Sequence, residues 1–354
     1  MIVVMGAGST PDDVERIQQH LSERGLRWQI NEGVERSVIG VLGQTYPELQ
    51  DELEFMSGVS EVLRVSKPYK LASREFAPDD TVVKIGKDGV AIGAGNFVVF
   101  AGPCAVESEE QMIATARAVQ DAGATVLRGG AFKPRTSPYS FRGLGEDGLK
   151  ILATAREETG LPVITEVMSP GDVELVSSYA DVLQVGARNM QNYSLLDEVG
   201  KTDKPVMVKR GFSATYEDWL LAAEYVMKQG NMNVVLCERG IRTFEDSTRN
   251  TFDLAAIPVL KKETHLPVVA DPSHAAGRRD LVPALSYAAI AAGADGLLIE
   301  VHPDPEMAVS DGDQSLVFDE FDSLMAGLAP FAAAAGRTLE GLNGEDQVPA
   351  SDRG

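Results

Sequence analysis

The stretch FVVFAGPCAVESEEQMIATARAVQDAGATVLRGG, residues 97–130, decides the fold, because it contains one complete unit of a repeat. Phe97–Ala101 and Thr125–Leu127 are apolar runs of strand length, and Ser108–Asp121 between them has helical spacing. The alternation continues through further strand-length runs at Pro162–Thr165, Val182–Val185, Pro205–Val208, Val234–Leu236, Pro267–Ala270 and Gly296–Ile299. Further helical segments lie at Leu149–Thr159, Tyr216–Gln229, Phe252–Thr264 and Asp280–Ala292.

This repeat predicts an α/β protein built on a (β/α)8 TIM barrel, since eight strands alternate with helices over roughly 240 residues. A doubly wound open sheet is the alternative, and the absence of G-x-G-x-x-G after the first strand disfavours it. We place the barrel at residues 81–335, starting with a hairpin at Thr81–Ile92. The polar tail, residues 336–354, is expected to be disordered.

Residues 1–70 have a different pattern, β-α-β-β-α-β, which is the order of a small ferredoxin-like α+β domain. It resembles the ACT-like modules that sense amino acids, and a packing or oligomerisation domain is the alternative. Residues 71–80 are interpreted as a linker, because the surrounding stretch is polar and contains two prolines.

The amino-acid composition limits the kinds of molecule that the protein is expected to bind. The 354 residues have a formal net charge of -21, which argues against binding to nucleic acid or to an anionic membrane and also suggests adaptation to high salt as a hypothesis. The sequence has neither an apolar run of about 18 residues nor a signal peptide, so we expect a cytoplasmic protein. Two cysteines far apart, Cys104 and Cys237, do not suggest a disulfide framework.

Reactive or charged residues follow all eight predicted strands, where the active sites of such barrels lie. In strand order they are Cys104, Arg128, Glu166, Arg188, Lys209, Arg239, His274 and Glu300. Each residue alone has an ordinary explanation as a core or solvated side chain, but their occurrence at equivalent points of the repeat predicts a site.

The residues at the strand ends include two groups with different chemical roles. Cys104, His274 and Glu300, with an acid from the next loop such as Asp311, would suit a divalent Mn, Fe, Co or Zn ion. Asp304 and Asp313 are alternative carboxylates, and Cys237 inside the sixth strand is interpreted as structural.

The cations form the second group, sufficient for a phosphate and a carboxylate together. They come from strand ends and from the loop LRGGAFKPRTSPYSFRGLG, residues 127–145, which has four cations and no acid in an acidic protein. A solvated basic loop is the simpler alternative.

Several motifs together resemble one family, the type I 3-deoxy-D-arabino-heptulosonate 7-phosphate (DAHP) synthases, in the subtype with an amino-terminal regulatory domain. They are AGPC at 101–104, LRGGAFKPRTSPYSFRG at 127–143, GARNMQN at 186–192, VKRG at 208–211, LCERGIRTFE at 236–245, DPSHAAGRR at 271–279 and EVHPDP at 300–305. The resemblance extends from about residue 81 to 325.

The resemblance implies metal-dependent condensation of phosphoenolpyruvate with erythrose 4-phosphate, the first step of the shikimate pathway to aromatic amino acids. It implies Cys104, His274, Glu300 and Asp311 as metal ligands. Arg128 and Lys133 would hold the phosphoenolpyruvate carboxylate, and Ala187, Arg188, Lys209 and Arg239 its phosphate region. Arg135 and Thr136 would contact erythrose 4-phosphate, Glu166 would lie near the attacking water, and Lys133 could also transfer a proton.

Two alternatives remain at this point. The related octulosonate 8-phosphate synthase uses arabinose 5-phosphate, but its loop resembles K-A-N-R-S, whereas this chain has Lys133-Pro134-Arg135-Thr136. A catalytically retired amino-acid sensor is the other. We also expect feedback inhibition by Tyr or Phe through residues 1–70, no chorismate mutase segment, and a homotetramer.

Overall fold

The computed structural model describes residues 1–33, 36–43, 45–46, 48–63, 67–87, 89–134 and 139–339. The amino-terminal unit is a four-stranded antiparallel sheet in the order β2-β3-β1-β4, covered by two helices. Its elements are β1 (Ile2–Met5), α1 (Pro11–Glu23), β2 (Arg27–Glu32), β3 (Ser37–Leu42), α2 (Glu48–Glu54) and β4 (Val59–Leu63). This confirms the predicted ferredoxin-like architecture.

Local sequence explains these elements. Thr10 caps α1 in a capping box with Asp13, and Pro11 occupies the first turn, where a missing N–H costs nothing. Ile17 and Leu21 of α1 are buried on the sheet, together with alternate residues of β1 and β3. Trp28 of β2 is partly buried against this same core.

The barrel contains eight parallel strands in sequence order, closed by pairing between the first and the last. They are β7 (Asn96–Gly102), β8 (Val126–Arg128), β9 (Val163–Val167), β10 (Val182–Val185), β11 (Val206–Lys209), β12 (Val234–Glu238), β13 (Val268–Ala270) and β14 (Gly296–Glu300). All eight predicted strands are confirmed to within two residues at either end. A hairpin of β5 (Val83–Ile85) and β6 (Val90–Ile92) precedes them, as predicted.

The helices are α3 (Glu109–Asp121), α4 (Glu146–Thr159), α5 (Val173–Tyr179), α6 (Tyr193–Val199), α7 (Tyr216–Met227), α8 (Ala256–Glu263), α9 (Pro272–Ala276), α10 (Val282–Ala291) and α11 (Phe318–Ala334). Within the described ranges, every helix is too short or too polar to traverse a lipid bilayer.

Alternation along each strand separates two cores. In β7, Val98 and Phe100 face the barrel interior, while Phe97, Val99 and Ala101 pack under the helices. Cys237 lies in the interior cluster among apolar side chains, consistent with a structural residue. On the outside, Trp219 of α7 is fully buried, and its Nε1 donates to the Val208 carbonyl at 2.9 Å.

The segment 67–80 is packed against the barrel along its length. Leu71, Ala72 and Phe76 are buried in the main core, and the N–H groups of Leu71 and Ala72 donate to Glu224 at 3.0 and 2.9 Å. The side chains of Lys67 and Tyr69 donate to Glu263 on α8. The predicted linker is therefore a strap that contributes to the core, which its polar composition did not reveal.

The carboxyl-terminal end of the described chain also joins the fold. Beyond α11, β15 (Thr338–Leu339) pairs with β7, so the order extends four residues into the predicted disordered tail. This pairing provides hydrogen-bond partners for backbone groups at the amino end of β7, and the polar composition of the tail gave no sign of it. Residues 340–354 lie outside the described residues.

Candidate active site at the carboxyl ends of the barrel strands

The eight predicted strand-end residues all come to the same end of the barrel. Arg128, Lys209 and Glu300 are the last residues of their strands, and Glu166 precedes the last residue of β9. Arg239 directly follows β12. The other three lie just beyond strands: Cys104 after β7, Arg188 in the short turn Ala187–Asn189, and His274 on α9. Because the barrel strands are parallel, all of their carboxyl ends lie at the same end of the barrel, and the residues at those ends must converge there.

Three of the four expected metal ligands form one cluster. The ligand atoms of Cys104, Glu300 and Asp311 all lie within 4.8 Å of one another. His274 is adjacent, with Nε2 3.3 Å from Glu300 Oε1. The alternative carboxylates, Asp304 and Asp313, are exposed and outside this cluster. A thiol, an imidazole and two carboxylates are a donor set that suits a borderline divalent cation.

The Cys104 thiol is fully buried. It donates to Asp311 Oδ2 at 3.1 Å, lies 3.1 Å from Ser310 Oγ, and accepts from Lys133 Nζ at 3.0 Å. Burial, with a contribution from Glu300, raises the pKa of Cys104 to about 12, although Lys133 opposes this shift. The thiol is therefore protonated at neutral pH, and a cation that binds it must displace the proton.

Asp271 orients His274 and was assigned no role from the sequence. One Asp271 oxygen caps α9 by accepting the His274 N–H at 2.9 Å, and the other lies 2.7 Å from His274 Nδ1. Lys209 also donates to Asp271, and the pKa of this carboxyl is held far below its usual range, since His274 and Lys209 outweigh its burial. Burial lowers the pKa of His274, while Asp271 and Glu300 oppose this shift. With Nδ1 beside Asp271, the other ring nitrogen, Nε2, lies toward the cluster. The sequence signal for the role of Asp271 was the spacing Asp271-x-x-His274 with Pro272 between, because this spacing is typical of a residue that caps the start of a helix.

Arg128 and Lys133 contact the same cluster. Arg128 Nη1 is 2.6 Å from Glu300 Oε1, and Lys133 Nζ donates to the Cys104 carbonyl at 2.8 Å. His274 and Arg128 outweigh burial and lower the pKa of Glu300. The two predicted carboxylate-binding cations are thus adjacent to the predicted metal ligands.

Arg188 and Arg239 lie on the opposite side of the barrel mouth, over Phe212. Their guanidinium carbons are 5.6 and 4.7 Å from the ring centroid. Arg239 Nη1 is buried and has no hydrogen-bond partner among the described residues, and burial lowers the pKa of this guanidinium. A buried donor without a partner is costly, so this group is suited to an incoming anion.

Glu166 lies between these groups. Its burial raises the pKa of the carboxyl, while Lys133, Lys209 and Arg188 oppose the shift. Gly186, which directly follows the neighbouring strand β10, makes room for it, since a Cβ at Gly186 would lie 2.7 Å from Glu166 Cδ.

The predicted erythrose 4-phosphate residues, Arg135 and Thr136, lie outside the described residues. Among the described residues, a cavity of about 530 Å³ is lined by side chains that include Lys133, Arg142 and Arg188. Arg142 was recognised as part of the basic loop but received no role, and its carbonyl accepts the Lys133 N–H at 2.9 Å. The three cations around this cavity make it suited to anionic groups.

Comparison with known proteins agrees with this geometry. Residues 80–330 match the DAHP synthetase I family, and residues 1–67 match the DAHP synthase ferredoxin-like domain. Phospho-2-dehydro-3-deoxyheptonate aldolase from Thermotoga maritima is 51% identical over 336 residues, which cover 95% of this chain and 99% of that protein. A 2-dehydro-3-deoxyphosphooctonate aldolase from Rhodopseudomonas palustris is 36% identical and covers 68% of this chain and 89% of its own length.

Solved structures show the same relationship. The crystal structure of the Thermotoga maritima DAHP synthase superimposes with a TM-score of 0.75 at 50% identity, covering 95% of this chain and 98% of that one. A truncated form of the Thermotoga maritima enzyme covers 76% of this chain and 98% of its own, with a TM-score of 0.71 and 49% identity. The chain therefore belongs to the DAHP synthetase I family, and within it to the DAHP synthases that carry a ferredoxin-like domain ahead of the barrel.

Proposed function

We propose that this enzyme joins phosphoenolpyruvate to erythrose 4-phosphate, with water, to give DAHP and phosphate, and that it requires a divalent Mn, Fe, Co or Zn ion. The observation that carries this proposal is the adjacency of a Cys104–Glu300–Asp311 ligand cluster to converging cations at one barrel mouth. His274 completes the proposed ligand set. When bound, the ion would supply Lewis acidity to the aldehyde oxygen.

The cations would hold two mutually repelling anions within reaction distance. Arg128 and Lys133 would bind the phosphoenolpyruvate carboxylate, and Arg188, Lys209 and Arg239 its phosphate, with the Ala187 backbone beside them. The buried Arg239 Nη1, for which the described part of the chain offers no hydrogen-bond partner, supports the phosphate assignment. Arg135 and Thr136 are proposed to bind erythrose 4-phosphate. Fixed charges in a partly enclosed site need no reorganisation during the reaction, which is the main catalytic benefit of such an arrangement.

Glu166 and Lys133 are proposed to transfer protons during the reaction. The enol carbon C3 of phosphoenolpyruvate forms a bond to the aldehyde carbon of erythrose 4-phosphate, and water adds at C2 before phosphate leaves. Glu166, whose pKa is raised by burial, is suited to accept or return the proton of that water. Lys133 is proposed to donate a proton toward the aldehyde oxygen, and the hydrogen bonds of its Nζ to Cys104 Sγ and to the Cys104 carbonyl, beside the proposed metal ligands, support this role.

The test is loss of phosphoenolpyruvate absorbance on addition of erythrose 4-phosphate or, separately, arabinose 5-phosphate, with and without EDTA. We expect consumption only with erythrose 4-phosphate, abolished by EDTA and restored by Mn. Consumption with arabinose 5-phosphate would instead indicate octulosonate synthesis. Absence of turnover despite tight metal binding would favour the retired-sensor alternative.

Regulation is a second part of the proposal. The ferredoxin-like unit supports feedback inhibition by Tyr or Phe, bound between such units in a homotetramer. Removal of the unit should preserve turnover and abolish inhibition. Inhibition that persists in the truncated protein would contradict this role.

A further inference from the structure

A loop outside the strand-end set lies against the helix that carries His274. The loop after β12 is closed by a bridge between Ile241 and Thr251, whose two backbone hydrogen bonds are both 2.9 Å. Near its end, Asn250 donates through its backbone to the Ala275 carbonyl and through Nδ2 to the His274 carbonyl, each at 2.9 Å. The loop is therefore fixed to α9 at the residue proposed as a metal ligand.

Arg249 fits closely against the end of the same helix. Its N–H donates to the Ala276 carbonyl at 2.9 Å. A Cβ at Gly277 would overlap the Cβ of Arg249, so the glycine permits the contact. Gly277 also has a φ of +65°, a conformation that glycine adopts readily.

The Arg249 guanidinium reaches two residues of the loop that follows β14. Nη1 lies 3.0 Å from Asp311 Oδ1 and 2.8 Å from Gln314 Oε1. The amide of Gln314 is thereby oriented, because its oxygen accepts from Arg249 and its nitrogen donates to Glu300 Oε2 at 2.5 Å. Gln314 and Glu300 are both buried.

The backbone of Asp311 needs such support. Asp311 has a φ of +55° and a ψ of +37°, a left-handed conformation that residues other than glycine adopt only occasionally. Its carboxylate accepts from Arg249 on one oxygen and from Cys104 on the other. The Arg249 contact thus fixes which oxygen faces the cluster.

We infer that Arg249 and Gln314 are positioning residues, which join the segments carrying His274, Glu300 and Asp311 into one preorganised metal site. Within the described part of the chain, the hydrogen bonds of Arg249 go to Ala276, Asp311 and Gln314, so we expect its effect on metal binding to pass through Asp311 and Gln314. This inference rests on the proposed metal site. Loss of either contact is expected to weaken metal binding about 10- to 100-fold, as is usual for groups that orient ligands.

Arg278 offers a matched control. Both arginines line the same cavity of about 390 Å³. The Arg278 guanidinium is half exposed and pairs with Asp280, away from the ligand cluster. Arg278→Met therefore removes the same charge from the same cavity without removing a contact to a proposed ligand.

The experiment uses full-length, metal-stripped protein titrated with Co(II), read by calorimetry and by the thiolate-to-Co(II) absorption band. We expect Arg249→Met to weaken binding 10- to 100-fold and Arg278→Met to bind like the wild type, with similar melting temperatures. Phosphoenolpyruvate KM at saturating metal should be unchanged in Arg249→Met. Gln314→Met provides a second, independent measurement and should also weaken binding.

Two failures can be distinguished. Wild-type Co(II) affinity in both Arg249→Met and Gln314→Met, with the thiolate band intact, would overturn the positioning role alone. No thiolate band in the wild type, together with unchanged Co(II) affinity in Cys104→Ala, would overturn the metal site itself and this inference with it.

Discussion

Arg128 Nη1 and Glu300 Oε1 lie 2.6 Å apart, with both side chains buried at the carboxyl ends of β8 and β14, the two strands on either side of β7. One residue is a proposed substrate ligand and the other a proposed metal ligand. Their ion pair therefore connects the proposed substrate site directly to the proposed metal site. A substitution that changes the affinity for one ligand should also change the affinity for the other.

Arg128→Met should lower the stability of the protein as well as its affinity for phosphoenolpyruvate. It would leave Glu300 buried without its guanidinium partner, and breaking such a pair typically costs about 3–5 kcal/mol. Urea denaturation gives the change in unfolding free energy, and Arg117→Met, which removes an exposed pair with Glu158, is the control. A loss below about 1 kcal/mol, the range of surface pairs, would show that Glu300 is otherwise compensated.

Cys104→Ala should abolish metal-dependent turnover and leave the barrel folded. The substitution removes the only sulfur of the proposed ligand set but few packing atoms, so circular dichroism should be unchanged. Cys237→Ala is the control, because this thiol is also buried but lies in the interior core. Full activity in Cys104→Ala would remove the metal assignment.

Gly186→Ala should reduce kcat through Glu166. The added methyl group would lie 2.7 Å from Glu166 Cδ, closer than real contacts allow, and the carboxyl would have to move. We expect a decrease of about 10- to 100-fold, comparable with Glu166→Gln, since general acid–base groups typically contribute at least that factor. Gly171→Ala, where a Cβ would meet only Ser169 Oγ at 3.9 Å, should have wild-type kinetics. Equal kcat in both variants would argue against a role for Glu166.

Acid should destabilise the protein through His265. Thr81 Oγ1 donates to Nδ1, 2.6 Å away, and Nε2 donates to the Leu71 carbonyl at 2.7 Å, so the ring is satisfied when neutral. Burial lowers its pKa to about 4. Because the unfolded histidine has a pKa near 6.5, this stability is fully present above about pH 6.5 and is lost as pH falls toward 4, by roughly 3 kcal/mol.

The measurement is unfolding free energy at pH 7.5 and pH 4.5 for wild type and His265→Gln, which can retain both hydrogen bonds without a proton uptake site. The wild type should lose roughly 2–3 kcal/mol more than the variant across this range. Identical losses would mean that His265 does not titrate on unfolding.

A truncated protein that begins at Lys67 should be more stable than one that begins at Thr81. The shorter protein lacks the strap, whose Tyr69, Leu71 and Phe76 are buried and whose backbone is bonded to Glu224. Thermal melting of both proteins gives the comparison, with turnover as a second readout. Equal melting temperatures would show that the strap depends on the ferredoxin-like unit for its position.

The sequence was sufficient for the barrel because apolar runs of strand length recur with helices between them. The strand-end rule then located Cys104, His274 and Glu300 without any knowledge of three-dimensional contacts. Patterns of this kind are local in the sequence, so each repeat indicates where its own strand ends.

Contacts between distant loops were not readable in the same way. Asp271 and Gln314 act through hydrogen bonds to residues whose neighbours are set by the closed barrel, and Arg249 contacts Asp311 across 62 positions of sequence. The packing of the strap against the barrel was not readable for a related reason. Its apolar residues are buried where Glu224 and Glu263 accept hydrogen bonds from the polar groups around them.

The two tryptophans, Trp28 in β2 and Trp219 in α7, fall one in each unit. Because Trp219 is fully buried and bonded to Val208, next to Lys209, whereas Trp28 is only partly buried, their emission should differ in wavelength. Fluorescence of Trp28→Phe and Trp219→Phe therefore provides separate optical reporters, with which the response of each unit to an aromatic amino acid or to phosphoenolpyruvate can be followed in solution.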